Sequence, residues 1–334
     1  MDSLTQVALG AAVGEATLGS KVGSRALLWG AVCGTLPDLD VLVSLGDAVR
    51  DFTYHRSATH SLIVLAALSP LMVWLILRVH PQTAVYRYRW LALVYLAFAT
   101  HVLLDSFTVY GTQILWPVDD TPMTWSTIFI IDPAFTLPLL VGVIAALVTS
   151  RERPLGHRLN WAGLALSSAY LAWTVGAKLH VEQIARESLA RQAIAYEHLL
   201  TVPAPLNSLL WRVVAVREDG YYEGFYSFFD DDRVIALRAF PSEPELLVGI
   251  EEQWPVKRLR WFTKGLYSVT RIGRDVVVTD LRMGVEDGYA FRFKVGVIGN
   301  PHTTPSSPER LAPVREYRRL KNVWARIWDE DVKI

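Results

Sequence analysis

Long apolar stretches dominate the first 180 residues and predict membrane helices. Four of them are nearly uncharged over about 18 to 20 residues, enough to cross a hydrocarbon core of about 30 Å at about 1.5 Å per residue. Two earlier stretches are less regular: Gly10 and Gly14 in the first have a small-xxx-small spacing that allows close helix packing, and Pro37 interrupts the second. The six predicted segments are Leu4–Gly19, Ala26–Leu45, Ser61–Val79, Trp90–Phe107, Pro133–Ser150 and Asn160–Leu179.

The pattern changes after residue 180, where short runs of β-branched and aromatic residues alternate with turn signals such as Asp219-Gly220. This pattern predicts a small antiparallel β domain, and the segment from Ser307 to Ile334 is predicted to be helical. The expected fold class is an α-helical membrane bundle of about six segments, followed by a small mainly-β extramembrane domain with a C-terminal helix. The predicted domains are residues 1–180 for the membrane bundle, 181–205 for a connecting helix and linker, and 206–334 for the soluble β-rich part.

The distribution of charge supports this division. Residues 1–180 contain 11 basic and 11 acidic residues, whereas residues 181–334 contain 22 of each, which indicates two different solvents. The formal net charge is zero, so no basic excess is present to bind a phosphate backbone, and we expect no nucleic-acid partner. The single cysteine, Cys33, excludes an intrachain disulfide and a multi-cysteine metal cluster.

Basic residues lie in alternate loops between the predicted segments and indicate an orientation. Lys21 and Arg25 separate the first two segments, Arg87 and Arg89 precede the fourth, and Arg158 precedes the sixth. Because loops rich in lysine and arginine lie on the cytoplasmic side, both chain termini are predicted to lie outside. The expected protein is multi-pass, with its C-terminal domain on the periplasmic side.

Ionisable residues gather at the outer ends of three predicted segments. Two lie in a Pro-Asp-Leu-Asp motif and two in the stretch His-Arg-Ser-Ala-Thr-His, while His101 and Asp105 are four residues apart and so share one helix face. Ionisable groups within membrane segments are costly and by default mark a functional site. The predicted metal ligands are Asp38, Asp40, His55, His60, His101 and Asp105.

These residue types point to a particular chemistry. Imidazole and carboxylate ligands suit zinc, and also manganese or iron, and the number of carboxylates allows one or two ions. Metal-bound hydroxide would be the nucleophile, and Arg56 could pair with an anionic phosphate oxygen. We therefore expect a membrane-bound metal-dependent hydrolase of a phosphoester such as a lipid or lipid-linked phosphate, with Asp40, His60 and Arg56 as catalytic residues.

Structural explanations stay open for each part of this set. The two aspartates could cap a helix or form a turn, and the two loop histidines could simply be solvated. His101 and Asp105 could form a hydrogen-bonded pair that locks two helices together. Gln6 is a poor ligand for transition metals, so we expect it to orient a ligand if it joins the site, and Asp2 could also contact the site.

Two other functions remain alternatives to the hydrolase. The first is a non-catalytic membrane protein with a structural metal site and an external domain that binds a partner. The second is a metal or proton transporter, which is disfavoured because the ionisable groups occupy only the outer half of the predicted bundle. A transport path needs such groups on the cytoplasmic side as well.

Several stretches of the chain together resemble one known family. They are Met1–Gly14, Pro37–Asp40, His55–Ser61, His101–Asp105 and Tyr110–Thr112. In this order they are similar to the YdjM-like family, described as inner-membrane-associated, predicted metal-dependent hydrolases. The resemblance implies a bacterial inner-membrane protein with a site like that of zinc-dependent phospholipase C, and the same six residues as metal ligands. Some relatives have a histidine at the position of Gln6.

Overall fold

The computed structural model describes residues 1–149, 154–313, 319–332 and 334. Its α-helices are α1 (Ser3–Gly14), α2 (Ser20–Val22), α3 (Ser24–Thr35), α4 (Ala48–Tyr54), α5 (Leu62–Val79), α6 (Arg87–Ser106), α7 (Pro133–Val148), α8 (Leu155–Arg191), α9 (Trp254–Thr263) and α10 (Arg319–Arg326). A π-helix covers Glu15–Gly19, and 3₁₀-helices cover Leu36–Leu42, Ala58–His60, Pro81–Tyr86 and Pro244–Leu247. The strands are β1 (His198–Pro203), β2 (Leu210–Arg217), β3 (Gly220–Ser227), β4 (Leu237–Pro241), β5 (Tyr267–Ile272), β6 (Asp275–Asp280), β7 (Arg292–Val297) and β8 (Thr304–Arg310).

The chain divides into two compact units. The helical unit consists of Met1–Val43 and His55–Val175, and the β-rich unit consists of Ser44–Tyr54 and Gly176–Ile334. The short stretch Ser44–Tyr54, which carries α4, is therefore part of the β-rich unit. Each unit has its own buried apolar core, described below.

Two helices of the helical unit pack backbone against backbone because glycine lines their contact. A Cβ atom added at Gly10 of α1 would lie 2.3 Å from the carbonyl oxygen of Gly30 in α3, and one at Gly14 would lie 2.2 Å from that of Ala26. Conversely, a Cβ atom at Gly34 would lie 2.6 Å from the carbonyl oxygen of Gln6. The small-xxx-small spacing in α1 thus meets a matching spacing in α3, and the two helices approach as closely as their backbones allow.

Helices α5 and α6 pack around an apolar core, and α5 begins at a defined cap. Trp90, Leu93 and Val94 of α6 are fully buried in that core. Ser61 caps α5 by accepting a hydrogen bond from the backbone amide of Val64 at 3.2 Å. Because a cap residue has extended backbone before the first helical turn, the chain changes direction directly after His60.

The β-rich unit contains two antiparallel four-stranded sheets, with strand orders β1-β2-β3-β4 and β5-β6-β7-β8. Trp211 and Val213 of β2 are buried together with Val181 and Ile184 from the C-terminal half of α8. The prediction of an antiparallel β region after residue 206 agrees with these sheets.

The prediction of about six membrane segments is wrong. Among the described residues, α5 is the one helix that is long and apolar enough to cross a membrane. Helix α7 is apolar but has 16 residues, or about 24 Å at the helical rise, and α1 and α3 have 12 each. Helix α6 has 20 residues, but it starts with Arg87 and Arg89 and its last turns contain His101 and Asp105.

The predicted orientation loses its basis for the same reason. A multi-pass topology with the C-terminal domain on the periplasmic side requires alternating spans, and one candidate span does not support it. Hydrophobicity alone was a poor guide because apolar helices can be buried within the protein. In α1, Ala8, Leu9 and Val13 belong to an internal core instead of forming a long lipid-facing surface.

The C-terminal half differs from the sequence prediction in two places. The helix expected through the linker ends at Arg191, and His198–Pro203 forms an edge strand instead. The C-terminal segment expected to be helical begins with strand β8, and its helix is Arg319–Arg326. Residues 314–318 and 333 of that segment lie outside the described residues.

The glycine contact generates a stability prediction. Replacing Gly10 by alanine forces α1 and α3 apart, and overpacking of this kind costs about 1–3 kcal/mol. Gly176 of α8 is the matched control, because a Cβ atom there has nothing within 4 Å. We expect Gly10→Ala to lower the midpoint of thermal unfolding in detergent, measured by circular dichroism. Gly176→Ala should leave the midpoint unchanged or raise it, since alanine favours helix over glycine by about 1 kcal/mol. Equal midpoints for the two variants would contradict the close contact.

Candidate metal centre

Four side chains from three parts of the helical unit meet at one point. Asp38 comes from the 3₁₀-helix that follows α3, and His60 ends the 3₁₀-helix before α5. His101 and Asp105 lie one turn apart on α6. One donor atom from each of these residues lies within 4.8 Å of the other three.

The distances among the donor atoms are those of a small coordination site. His60 Nε2 lies 3.2 Å from His101 Nε2 and 3.3 Å from both Asp38 Oδ1 and Asp105 Oδ2. His101 Nε2 lies 3.6 Å from the same two carboxylate oxygens. In a tetrahedral zinc site with bonds of about 2.0–2.1 Å, donor atoms are roughly 3.3 Å apart. The spacing therefore fits one ion of this size.

Hydrogen bonds outside the cluster determine which histidine nitrogens face it without a proton. His101 Nδ1 lies 2.7 Å from the carbonyl oxygen of Gly34, which can only accept, so Nδ1 carries the hydrogen. Thr59 donates its hydroxyl hydrogen to Asp40 Oδ2 at 2.7 Å, so its oxygen accepts from His60 Nδ1 at 3.0 Å. In the neutral histidines, both Nε2 atoms consequently direct lone pairs into the cluster, as second-shell bonds do in metal sites.

Asp105 is the most deeply buried carboxylate of the group. Its Oδ1 accepts hydrogen bonds from Gln6 Nε2 at 3.0 Å and from the Met1 ammonium. Its Oδ2 is buried without a hydrogen-bond partner among the described residues, although Arg56 Nε lies 3.2 Å away. A buried carboxylate oxygen that lacks a hydrogen bond is costly, and a cation in the cluster would satisfy it. Gln6 thus donates a hydrogen bond to a predicted metal ligand, and it is not one of the four residues whose donor atoms converge.

The electrostatics of the cluster favour a positive charge at its centre. Burial raises the pKa of Asp38, but the contacts with His101 and His60 outweigh it and hold that pKa below its usual range. Burial also raises the pKa of Asp105, yet the Arg56 guanidinium contributes to keeping it well below its usual range. For His60, contacts with Asp105 and Asp38 outweigh burial and raise the pKa. The two carboxylates therefore stay ionised. Their negative charge favours a cation among the four side chains, either a protonated histidine or a metal ion.

The cluster is closed on three sides. The side chains of His60, His101 and Asp105 are at most 1% exposed, whereas that of Asp38 is 19% exposed. Water can therefore approach from the side of Asp38. The expectation that the loop histidines are solvated is wrong for His60.

Two of the six predicted ligands lie outside the group of four. Asp40 Oδ1 is 2.7 Å from His55 Nδ1, and Asp40 Oδ2 accepts from the backbone amide of Arg56 at 3.2 Å. The Asp40 carboxylate also accepts the hydrogen bond from the Thr59 hydroxyl. Asp40 and His55 are therefore joined to each other beside the cluster, and their role as metal ligands stays a prediction.

The Arg56 side chain is buried and contacts several neighbouring residues. Its φ of 64° lies in the left-handed region, which is uncommon for residues other than glycine and recurs at functional sites. Its Nη1 donates to Thr108 Oγ1 at 3.1 Å, and its guanidinium carbon lies 5.0 Å from the centre of the Tyr110 ring. With its Nε beside Asp105, Arg56 compensates the charge of that carboxylate. Its predicted contact with a phosphate oxygen stays a prediction.

Sequence reasoning missed two groups that support the histidines. The Thr59 hydroxyl connects Asp40 to His60, and the signal available for it was its place directly before His60 in the motif. The Gly34 carbonyl that fixes His101 has no side chain, so only the three-dimensional structure identifies it. The alternative of a locking pair is not what the structure shows for His101, because its hydrogen bond goes to Gly34 and its Nε2 is 3.6 Å from Asp105.

Metal analysis tests the cluster directly. We expect the protein purified in detergent and supplied with Zn²⁺ to retain about one ion per chain, since the four donor atoms surround a single point. His60→Gln removes a donor and should leave no ion after dialysis, while Thr59→Val removes an outer bond and should weaken affinity by about 10- to 100-fold. His180, which stacks on Phe228 within the β-rich unit, supplies the control His180→Gln with unchanged metal content. Metal retained by His60→Gln at the wild-type level would place the ion elsewhere.

Comparison with known proteins now identifies the family. The sequence model described as YdjM inner membrane protein matches residues 1–181, which is more than half of the chain. An uncharacterized protein of Bacillus subtilis (strain 168), YfhP, is 30% identical over 150 residues; the match covers 43% of this chain and 45% of that relative. No solved structure matches. The chain belongs to the YdjM inner membrane protein family.

Proposed function

We propose that the protein is a membrane-bound, metal-dependent hydrolase that cleaves the phosphoester of a lipid or a lipid-linked phosphate. One observation carries this proposal: four electron-pair donors converge on a buried point that opens at Asp38. Metal-assisted hydrolysis needs a coordination position for water in addition to the protein ligands, and the partly exposed side of Asp38 gives water access to the ion.

We assign the ion to Asp38, His60, His101 and Asp105, and zinc is the metal that this donor set and spacing suit best. A divalent ion held there supplies Lewis acidity and an activated water nucleophile at neutral pH. The exposed side of Asp38 is where the substrate phosphate would approach. The one-fifth exposed His55, whose Nδ1 lies 2.7 Å from Asp40 Oδ1, is the neighbouring imidazole on the solvent-accessible side.

The other predicted catalytic residues act through the ligands. Asp40 positions His60 through the Thr59 hydroxyl, and Arg56 stabilises the charge of Asp105. Both are therefore positioning residues in this proposal, and His60 is a ligand. Loss of the Asp40 or the Arg56 side chain should disturb the coordination geometry of the ion and thereby reduce turnover.

The proposal of a lipid substrate is supported by the place of the cluster in the chain. The candidate membrane span begins at Leu62, two residues after His60. A residue this close to the end of a span lies near the membrane surface, where phosphate head groups are found. The family to which the chain belongs is an inner membrane family, so such substrates are within reach.

A structural metal site is the second candidate function. It is favoured by the deep burial of three of the four donor residues, since structural sites are closed and use four protein ligands. In that case the ion would hold α6 to the segments around Asp38 and His60, and the β-rich unit would bind a partner. The two candidates differ in whether removal of the metal abolishes turnover or only lowers stability.

Hydrolysis assays distinguish the two functions. We expect the zinc-loaded protein in detergent micelles to release the head group or phosphate from at least one of a panel of phosphomonoester and phosphodiester lipids, followed by mass spectrometry. Chelation should abolish this activity and added metal restore it, and Thr59→Val should lower turnover by about 10- to 100-fold. His180→Gln serves again as the control with unchanged turnover. Metal-dependent thermal stability without hydrolysis of any panel member would support the structural site and contradict the hydrolase.

A further inference from the structure

An apolar groove of about 220 Å³ follows α5 in the helical unit. Its wall on α5 includes Leu65, Leu68, Met72 and Leu75, which are three or four residues apart and therefore share one face of the helix. From Leu65 to Leu75 this wall extends about 15 Å at the helical rise. Phe98 of α6 lines the same groove and is itself buried.

One end of the groove lies at the candidate metal centre. Pro37 and Thr59 line this end, and Pro37 directly precedes Asp38. Thr59 is hydrogen-bonded to Nδ1 of His60 at 3.0 Å. Two residues that line the groove are thus direct chain neighbours of residues that we assign to the ion.

The chemistry of the lining restricts what can occupy the groove. All nine lining residues are uncharged, and the Thr59 hydroxyl already bonds to Asp40 and His60. A peptide or sugar would leave polar groups without partners there, which is costly. Leu68, Leu71 and Leu75 are exposed on the candidate membrane span, so in the membrane the groove opens toward hydrocarbon. A hydrocarbon chain is the occupant that meets both conditions.

A second apolar surface surrounds the entrance of the metal centre. In the 3₁₀-helix that carries Asp38, the neighbouring side chains of Leu39, Val41 and Leu42 are exposed, Val41 by 71% and Leu42 by 78%. Exposed apolar residues in such a continuous stretch mark a surface that contacts a partner or a membrane. Carboxylate and exposed apolar side chains alternate here, as expected at the boundary between head groups and acyl chains.

We propose that this groove binds one acyl chain of the substrate, so that the phosphoester of the same molecule lies at the metal centre. The proposal rests on the proposed function for the identity of the head group, but the groove can be tested without any turnover. It assigns Leu71, at the exposed rim, as a residue that controls access of the chain.

Photo-crosslinking tests the groove independently of activity. The probe is phosphatidic acid with a diazirine in one acyl chain, added to the metal-loaded protein in detergent, and labelled residues are mapped by mass spectrometry. We expect labels on Met72 and Phe98 of the wild type. Leu71→Trp fills the groove and should remove these labels, whereas Ile63→Trp should retain them. Ile63 is an exposed α5 residue outside the groove lining and serves as the matched control. Labelling spread evenly over exposed apolar residues, or unaffected by Leu71→Trp, would overturn the proposal.

A chain-length comparison connects the groove to catalysis. We expect Leu71→Trp to lower the ratio of long-chain to short-chain phosphatidic acid turnover by about tenfold or more, because the long-chain substrate loses its alignment. Ile63→Trp should leave the ratio unchanged. An equal loss for both chain lengths would contradict a chain-binding groove. If the wild type hydrolyses no member of the lipid panel while the crosslinks map to Met72 and Phe98, the hydrolase is refuted and the acyl-chain groove stands.

Discussion

Four glycines let the backbones of α1 and α3 touch, and the positions of the candidate metal ligands depend on that contact. It places Gly34 where its carbonyl oxygen accepts from His101, and Gln6 where its amide donates to Asp105. Both bonds end on α6, so three helices are held in one register. A side chain larger than hydrogen at Gly10 or Gly34 would shift these groups by more than a hydrogen bond tolerates.

The cluster itself is held by bonds that do not use the donor atoms. The Gly34 carbonyl and the Thr59 hydroxyl accept hydrogen bonds from Nδ1 of His101 and of His60, respectively. Gln6 donates a hydrogen bond to Oδ1 of Asp105. What remains facing inward are acceptors, and the cations beside them among the described residues are the Met1 ammonium and the Arg56 guanidinium, both next to Asp105. Such a buried group of like acceptors is stable only with a cation or proton among them. The arrangement around the point is therefore one that a metal ion could complete.

Four of the six ligand candidates named from the sequence converge in the structure, whereas the predicted membrane topology is wrong. Spacing of four residues placed His101 and Asp105 on one face of a helix, and the histidine before the apolar run identified His60, because both signals are local. Local spacing does not determine which of the six candidates come together. The turn after α3 brings Asp38 into the cluster and pairs Asp40 with His55 instead. The backbone carbonyl of Gly34 carries no signal in the sequence at all.

The membrane prediction failed because hydrophobicity measures composition and not what a helix faces. Helix α1 is apolar yet buried among its neighbours, and α7 is apolar but short, so only α5 among the described helices meets the length and composition of a span. The strand β8 was missed for a related reason, since Thr304–Arg310 is polar and forms a strand only by pairing with the preceding strand β7. Strand formation at a sheet edge depends more on the partner strand than on the residues themselves.

The central claim is that Asp38, His60, His101 and Asp105 hold one metal ion. Anomalous diffraction from crystals of the metal-loaded protein, recorded on both sides of the zinc absorption edge, tests it most directly. The account predicts a single strong peak about 2.0–2.2 Å from Nε2 of both histidines and from one oxygen of each carboxylate. A peak at any other group of residues, with this cluster empty, would contradict it.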